Sequence, residues 1–148
     1  MGKGFTIACA ACGYSQSLLL GIGMGYAPAV LEDPGAEFSI LTLLARFHRL
    51  REQVRPLLTE RHGRLVWDDY GHAVCRCPRC QGIYARFLFR LEHDGGTFTP
   101  NYRCPKCRIA LEPLSGNGEE EDQIDWAAIP CPKCGQHRLA EAEHICWD

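Results

Sequence analysis

Four Cys-x-x-Cys turns use eight of the ten cysteines in this 148-residue chain, and no other feature limits its fold as much. Two residues between cysteines let one tight turn aim both sulfurs at a single point. Two such turns supply the four thiolates of a tetrahedral structural metal site. The inner pair is Cys77-Pro78-Arg79-Cys80 and Cys104-Pro105-Lys106-Cys107, with 23 residues between them. The outer pair, Cys9-Ala10-Ala11-Cys12 and Cys131-Pro132-Lys133-Cys134, stands near the two ends of the chain. The spacing therefore predicts two sites: Cys77, Cys80, Cys104 and Cys107 in one, and Cys9, Cys12, Cys131 and Cys134 in the other, which would tie the ends together. Two zinc ions per chain are expected, and iron fits the same geometry as a less favoured ion.

The stretch between the inner turns supports that pairing. Ile83 to Leu91 is rich in aromatic and aliphatic residues and reads as a strand, with Tyr84, Arg86, Leu88 and Arg90 on one face and Phe87 and Phe89 on the core face. His93-Asp94-Gly95-Gly96 supplies the positive φ of a tight hairpin turn, and Thr97 to Arg103 is expected to return and deliver Cys104 beside Cys77. A thioredoxin-like redox pair would need a Cys-x-x-Cys opening a helix, and none here does. Paired thiolates holding metal suit a reducing interior better than a disulfide scaffold, so a cytoplasmic protein is expected.

The remaining segments read as follows. Phe5 to Ile7 and Gly13 to Leu20 are strands flanking the first turn, and Arg138 to Trp147 is the closing strand. Gly21-Ile22-Gly23-Met24-Gly25 lacks the following helix of a phosphate loop and reads as a strand end where backbone passes close to a neighbour. Asp33 and Pro34 are a helix start, and apolar residues at Phe38, Leu41, Leu44, Phe47, Leu50 and Val54 predict one long amphipathic helix, kinked or interrupted after Val54 by Pro56 and ended at Gly63. Gly63 to Val74 is a strand with a turn at Asp68-Asp69 or Gly71-His72. Cys75 and Cys146 stand outside the paired spacing and are read as buried thiols, and Ser115 to Asp122 as a polar, acidic linker.

The expected architecture is α+β: metal-stabilised β-hairpins packed with one long helix. Its parts are a terminal half from 1–35 and 117–148, a helix over 36–63 and a central unit over 64–116, forming one composite globule. Leu18 to Val30 is too short and glycine-broken for a membrane span. A signal-peptide reading of the same stretch would discard Cys9 and Cys12 on cleavage.

Cys9-Ala10-Ala11-Cys12-Gly13-Tyr14 near one end and Cys131-Pro132-Lys133-Cys134-Gly135 near the other resemble the paired metal knuckles of rubredoxins and related zinc ribbons. The resemblance covers these two motifs, across a gap of about 118 residues that is short in rubredoxins. It implies that Cys9 and Cys12 meet Cys131 and Cys134. It does not carry electron-transfer function over, and a rubredoxin-like iron electron carrier stands only as a second alternative.

Charge divides the chain. Residues 46 to 108 hold 13 of the 16 Lys and Arg but only 6 of the 18 Asp and Glu, a balance of +7, and the remainder carries −9. Arg79, Tyr84, Arg86, Arg90, Arg103, Lys106 and Arg108 are the residues through which a basic central unit would contact nucleic acid. Against this stands the chain's pI near 6.3, far from that of a strongly basic domain. His72, His93, His137 and His144 are scattered, and a zinc ion closed by four thiolates has no open position for catalysis, so an enzyme is disfavoured. The expected role is a structural zinc protein serving as a protein-interaction or scaffold module. Nucleic-acid binding is the alternative, and no membrane partner is expected.

Overall fold

The computed structural model describes residues 2–114 and 124–147, the side chains of Cys146 and Trp147 excepted. The expected linker from Ser115 to Asp122 and the expected burial of Cys146 lie outside the described residues and side chains. In chain order the elements are β1 (Gly2–Cys9), β2 (Ser15–Leu20), α1 (Pro28–Glu32), α2 (Ile40–Leu43), α3 (His48–Thr59), β3 (Arg64–Arg76), β4 (Ile83–His93), β5 (Gly96–Phe98), β6 (Glu112–Pro113), a 3-10 turn (Trp126–Ala128) and β7 (Leu139–Trp147). The fold is α+β. Two antiparallel sheets, β2-β1-β7 and β5-β4-β3-β6, carry most of it.

The long helix expected over 36–63 is replaced by two shorter ones, α2 and α3, with α1 standing ahead of them. Asp33 does not start a helix but ends α1, and its carboxylate accepts from the Gly35 N–H in a local turn. Ser39, wholly buried, caps α2 by accepting from the Thr42 N–H. The chain then leaves the helix at Leu44 and re-enters after Phe47, whose N–H bonds to the Leu44 carbonyl. Pro56 does not interrupt α3, which continues through it to Thr59. The helix closes with the Gly63 N–H on the Leu57 carbonyl, and His62 takes the left-handed position at φ 52°.

β3 is one strand from Arg64 to Arg76. The turn expected at Asp68-Asp69 or Gly71-His72 is absent: Gly71 and His72 pair regularly with Leu88 and Phe87, and Asp68-Asp69 lie in a bulge, Leu65 facing Leu91 and Tyr70 facing Phe89, so β3 takes five steps where β4 takes two. The return strand is also shorter than expected. β5 ends at Phe98, since Pro100 has no N–H to continue a ladder, and only an Arg103–Ala110 bridge marks the approach to Cys104. The Asp94-Gly95 turn stands where the sequence puts it.

Gly21, at φ 80°, exchanges two backbone hydrogen bonds of 2.8 Å with His72 and so joins the two sheets, the close passage read from the glycine run. Two apolar cores result. Leu31, Ile40, Leu41, Leu44 and Val54 pack on Tyr70, Phe87, Phe89 and Leu91. Phe5, Ile7, Leu18, Trp126, Ile129 and Leu139 pack on Val74 and Ile83, so the central sheet contributes to both. Among the described residues no helix is long and apolar enough to cross a membrane.

Candidate metal centres

All four Cys-x-x-Cys turns adopt one backbone design. In each, the first cysteine's N–H donates to the carbonyl five residues on: Cys9 to Tyr14 at 2.8 Å, Cys77 to Gly82 at 2.9 Å, Cys104 to Ile109 at 2.8 Å and Cys131 to Gln136 at 2.9 Å. Its carbonyl accepts from the N–H four residues on, of Gly13, Gln81, Arg108 and Gly135. Those four residues all take positive φ, at 70°, 62°, 63° and 75°. Glycine fills the position twice; Gln81 and Arg108 hold it with a side chain that the left-handed region disfavours. The repeated loop frees N–H groups for sulfur. Those of Cys80, Cys107 and Lys133 lie 3.4 to 3.5 Å from the sulfurs of Cys77, Cys104 and Cys131.

The turns meet in the two sets that the spacing predicts. In each, the four sulfurs lie within 4.8 Å of one another, Cys9, Cys12, Cys131 and Cys134 forming centre one and Cys77, Cys80, Cys104 and Cys107 forming centre two. Cys9 and Cys134 are 3.7 Å apart, Cys12 and Cys131 3.6 Å, and Cys80 and Cys104 3.6 Å. A metal–sulfur bond of about 2.3 Å in a regular tetrahedron gives a sulfur–sulfur edge of about 3.8 Å, whereas a disulfide requires about 2.05 Å. Both sets fit a four-thiolate ion. That geometry suits zinc and iron alike.

Four thiols so close do not ionise alike. Burial opposes ionisation of Cys104, but N–H groups of Cys107 and Lys106 and the Tyr84 hydroxyl bring it down to about 6. Burial and the neighbouring sulfurs of Cys80 and Cys77 push Cys107 up to about 12. Cys9, at about 7, is likewise opposed by burial and favoured by backbone N–H groups. At Cys12 a backbone hydrogen bond from Tyr14 favours the thiolate, but burial and its sulfur neighbours outweigh it and raise the thiol to about 12. Loading such a set displaces protons, so metal affinity falls in acid.

Arg86 was expected to face outward. It is instead half-buried, its guanidinium 5.0 Å from the Phe47 ring centre, 4.9 Å from Tyr84 and 5.8 Å from Tyr102. The even spacing of 84, 86, 88 and 90 is right, but Phe47 and Tyr102 cover that face of the sheet. Burial lowers the Arg86 pKa while Cys75, Tyr102, Tyr84 and Cys104 draw it back up, so the cation acts on Cys104 of centre two as well as on Cys75 outside it. The Tyr84 hydroxyl lies 3.7 Å from Cys104 Sγ, and burial together with that contact raises it to about 12.

The other basic residues divide. Arg79, Arg103, Lys106 and Arg108 are exposed around centre two, and among the described residues none forms an ion pair. Arg103 donates to the Arg108 carbonyl at 3.1 Å. Arg90 is exposed but pairs with Asp69 in the β3 bulge at 2.8 Å. Phe87 and Phe89 are buried, as expected. Cys75 is buried outside both sets, its thiol raised to about 11 chiefly by burial. Sequence reading missed the left-handed positions Gln81 and Arg108, although Gly13 and Gly135 at the same place in the outer turns were a visible signal.

No protein-family model, no curated protein and no solved structure matches the chain.

Proposed function

We propose that this is a structural metal protein whose two four-cysteine centres each hold one zinc ion, and that the scaffold so formed serves as a protein-interaction module. The carrying observation is the sulfur geometry: two sets of four sulfurs, each set within 4.8 Å, on four copies of one turn. A closed set leaves no position for substrate, which favours a structural over a catalytic ion. Elemental analysis of purified protein tests the assignment. Two zinc equivalents are expected, iron in their place would favour the electron-carrier alternative, and one equivalent or none would refute at least one centre.

The interaction reading is supported by an apolar cavity of about 290 Å³ lined by Ile22, Met24, Tyr26, Trp67 and Tyr70. Trp67 is 70 % exposed and Met24 78 %, values that a side chain buried for stability alone would not have. Asp68, exposed and next to Trp67 in the chain, supplies negative charge beside the cavity, whereas Glu32 is taken up by Arg64 at 2.7 Å. The occupant that fits is an apolar side chain flanked by Lys or Arg on a partner segment. A Lys-flanked leucine or tryptophan peptide should bind the protein and lose affinity when Trp67 becomes serine.

Nucleic-acid binding is the second reading, supported by Arg79, Arg103, Lys106 and Arg108, four exposed cations that form no ion pair among the described residues. With Phe87 and Phe89 buried and the Tyr84 ring occupied by Arg86, such a surface would track phosphates without stacking on bases. A gel-shift titration at two salt concentrations tests it: a shift that weakens steeply with salt and is lost in Arg79→Glu/Lys106→Glu would support it, and no shift at micromolar protein in low salt would end it.

A further inference from the structure

The two centres share a backbone and differ in what lies against their sulfurs. In centre two, Cys77 and Cys104 are fully buried, the Tyr84 hydroxyl touches Cys104 Sγ, and Arg86 stands nearby. Hydrogen bonds and positive charge withdraw electron density from a thiolate and make it a poorer nucleophile. In centre one, Cys134 is exposed, with Cys9 Sγ of the opposite turn 3.7 Å away and the sulfur of Cys12 on that turn also against it. An exposed thiolate meets dissolved oxidants that a buried one does not.

We propose that Cys134 is an oxidation site, and that hydrogen peroxide converts centre one from a metal link into a disulfide link between Cys9 and Cys134. This rests on the assignment of centre one as a metal site. The Cys134 thiolate attacks one peroxide oxygen; an S–O bond forms as the O–O bond breaks, and hydroxide leaves and is protonated to water. The Cys9 thiolate then attacks the Cys134 sulfur; the S–S bond forms as the S–O bond breaks, and a second hydroxide leaves as water. The two sulfurs together lose two electrons and the peroxide gains them. Their separation closes from 3.7 Å to about 2.05 Å, a movement within the reach of two side chains on facing turns. Cys12 and Cys131 are then the remaining thiolates, two short of a structural set, and the ion is released. The new bond joins the same two turns that the ion joined, so the ends of the chain stay tethered.

The test starts from protein shown by elemental analysis to carry two zinc equivalents; fewer would refute the assignment of the centres and this proposal with it. Peroxide is added at neutral pH, zinc release is followed with a metallochromic dye, and thiols are mapped by alkylation and peptide mass spectrometry. The first equivalent should leave at least about tenfold faster than the second, together with a cross-linked Cys9–Cys134 peptide and with Cys77, Cys80, Cys104 and Cys107 still reduced. Simultaneous release of both ions, first loss from centre two, or oxidation of Cys134 without a cross-link to Cys9 overturns the proposal. Tyr84→Phe, which removes one hydroxyl from beside centre two, should quicken the second phase and leave the first unchanged; a quickened first phase counts against it.

Discussion

Replacing Gly135 by alanine isolates the backbone term in the metal turns. An added Cβ there meets nothing within 4 Å, so no side chain or backbone has to move. What changes is φ, which stands at 75° in a region costing a non-glycine residue about 1–2 kcal/mol. The alanine also restricts the unfolded chain, which returns about 0.4–1 kcal/mol. The net loss should be about 1 kcal/mol, and Gly13→Ala, at φ 70° with equal room, should lose the same. Gln81→Gly runs the argument backwards. It relieves the same strain at φ 62° but gives up an exposed side-chain bond to the Pro78 carbonyl and adds unfolded-state freedom, leaving a change within about 0.5 kcal/mol of zero. The assay is denaturant unfolding at one buffered free zinc concentration, because metal binding to the folded state otherwise moves with stability. Gly135→Ala without cost, or Gln81→Gly losing more than the two alanine variants, would refute the claim that positive φ governs these turns.

Cys104→Ser should abolish binding of one zinc equivalent and lower stability by several kcal/mol, while Cys75→Ala should keep both equivalents and cost about 1–2 kcal/mol for a small buried cavity, as elemental analysis and unfolding will show. Gly63→Ala should cost about 2 kcal/mol by clash alone, since its Cβ would stand 2.7 Å from the Leu57 carbonyl oxygen, and a neutral result in thermal unfolding would contradict the helix end described. Burial holds His72 at about 4, below its usual 6.5. Because the folded value is the lower one, this contribution is complete above pH 6.5 and is lost as pH falls toward 4, by up to about 3 kcal/mol. His72→Phe should therefore flatten the acid limb over that window relative to the parent, the acid loss of metal being common to both.

The two four-cysteine sets were legible because a tight turn with two intervening residues leaves its spacing in the sequence whatever surrounds it. Strand alternation was legible for the same reason, and Phe87 and Phe89 are buried as the period requires. The period states which residues share a face but not what covers that face. Arg86 was misread on that account, since Phe47 comes from a segment that the sequence joins to a helix. The division into α2 and α3 escaped detection because Leu41, Leu44, Leu50 and Val54 keep helical spacing across a break at Leu44 to Phe47 that no glycine or proline marks. Pro56 was over-read, because packing of α3 through Leu57 and Leu58 on the core outweighs one missing donor.

Centre two closes over the 23 residues between Cys80 and Cys104, and centre one over the 118 between Cys12 and Cys131. The longer loop costs about 1.4 kcal/mol more in chain entropy, a factor of roughly ten in the probability of encounter. On a ribosome the difference is sharper still. Centre two has all its ligands once Cys107 has emerged, whereas Cys9 and Cys12, the first cysteines made, wait for Cys134, almost the last. On the proposed assignment, centre two should therefore load before centre one, and loading of centre one should commit the first and last cysteine turns to each other.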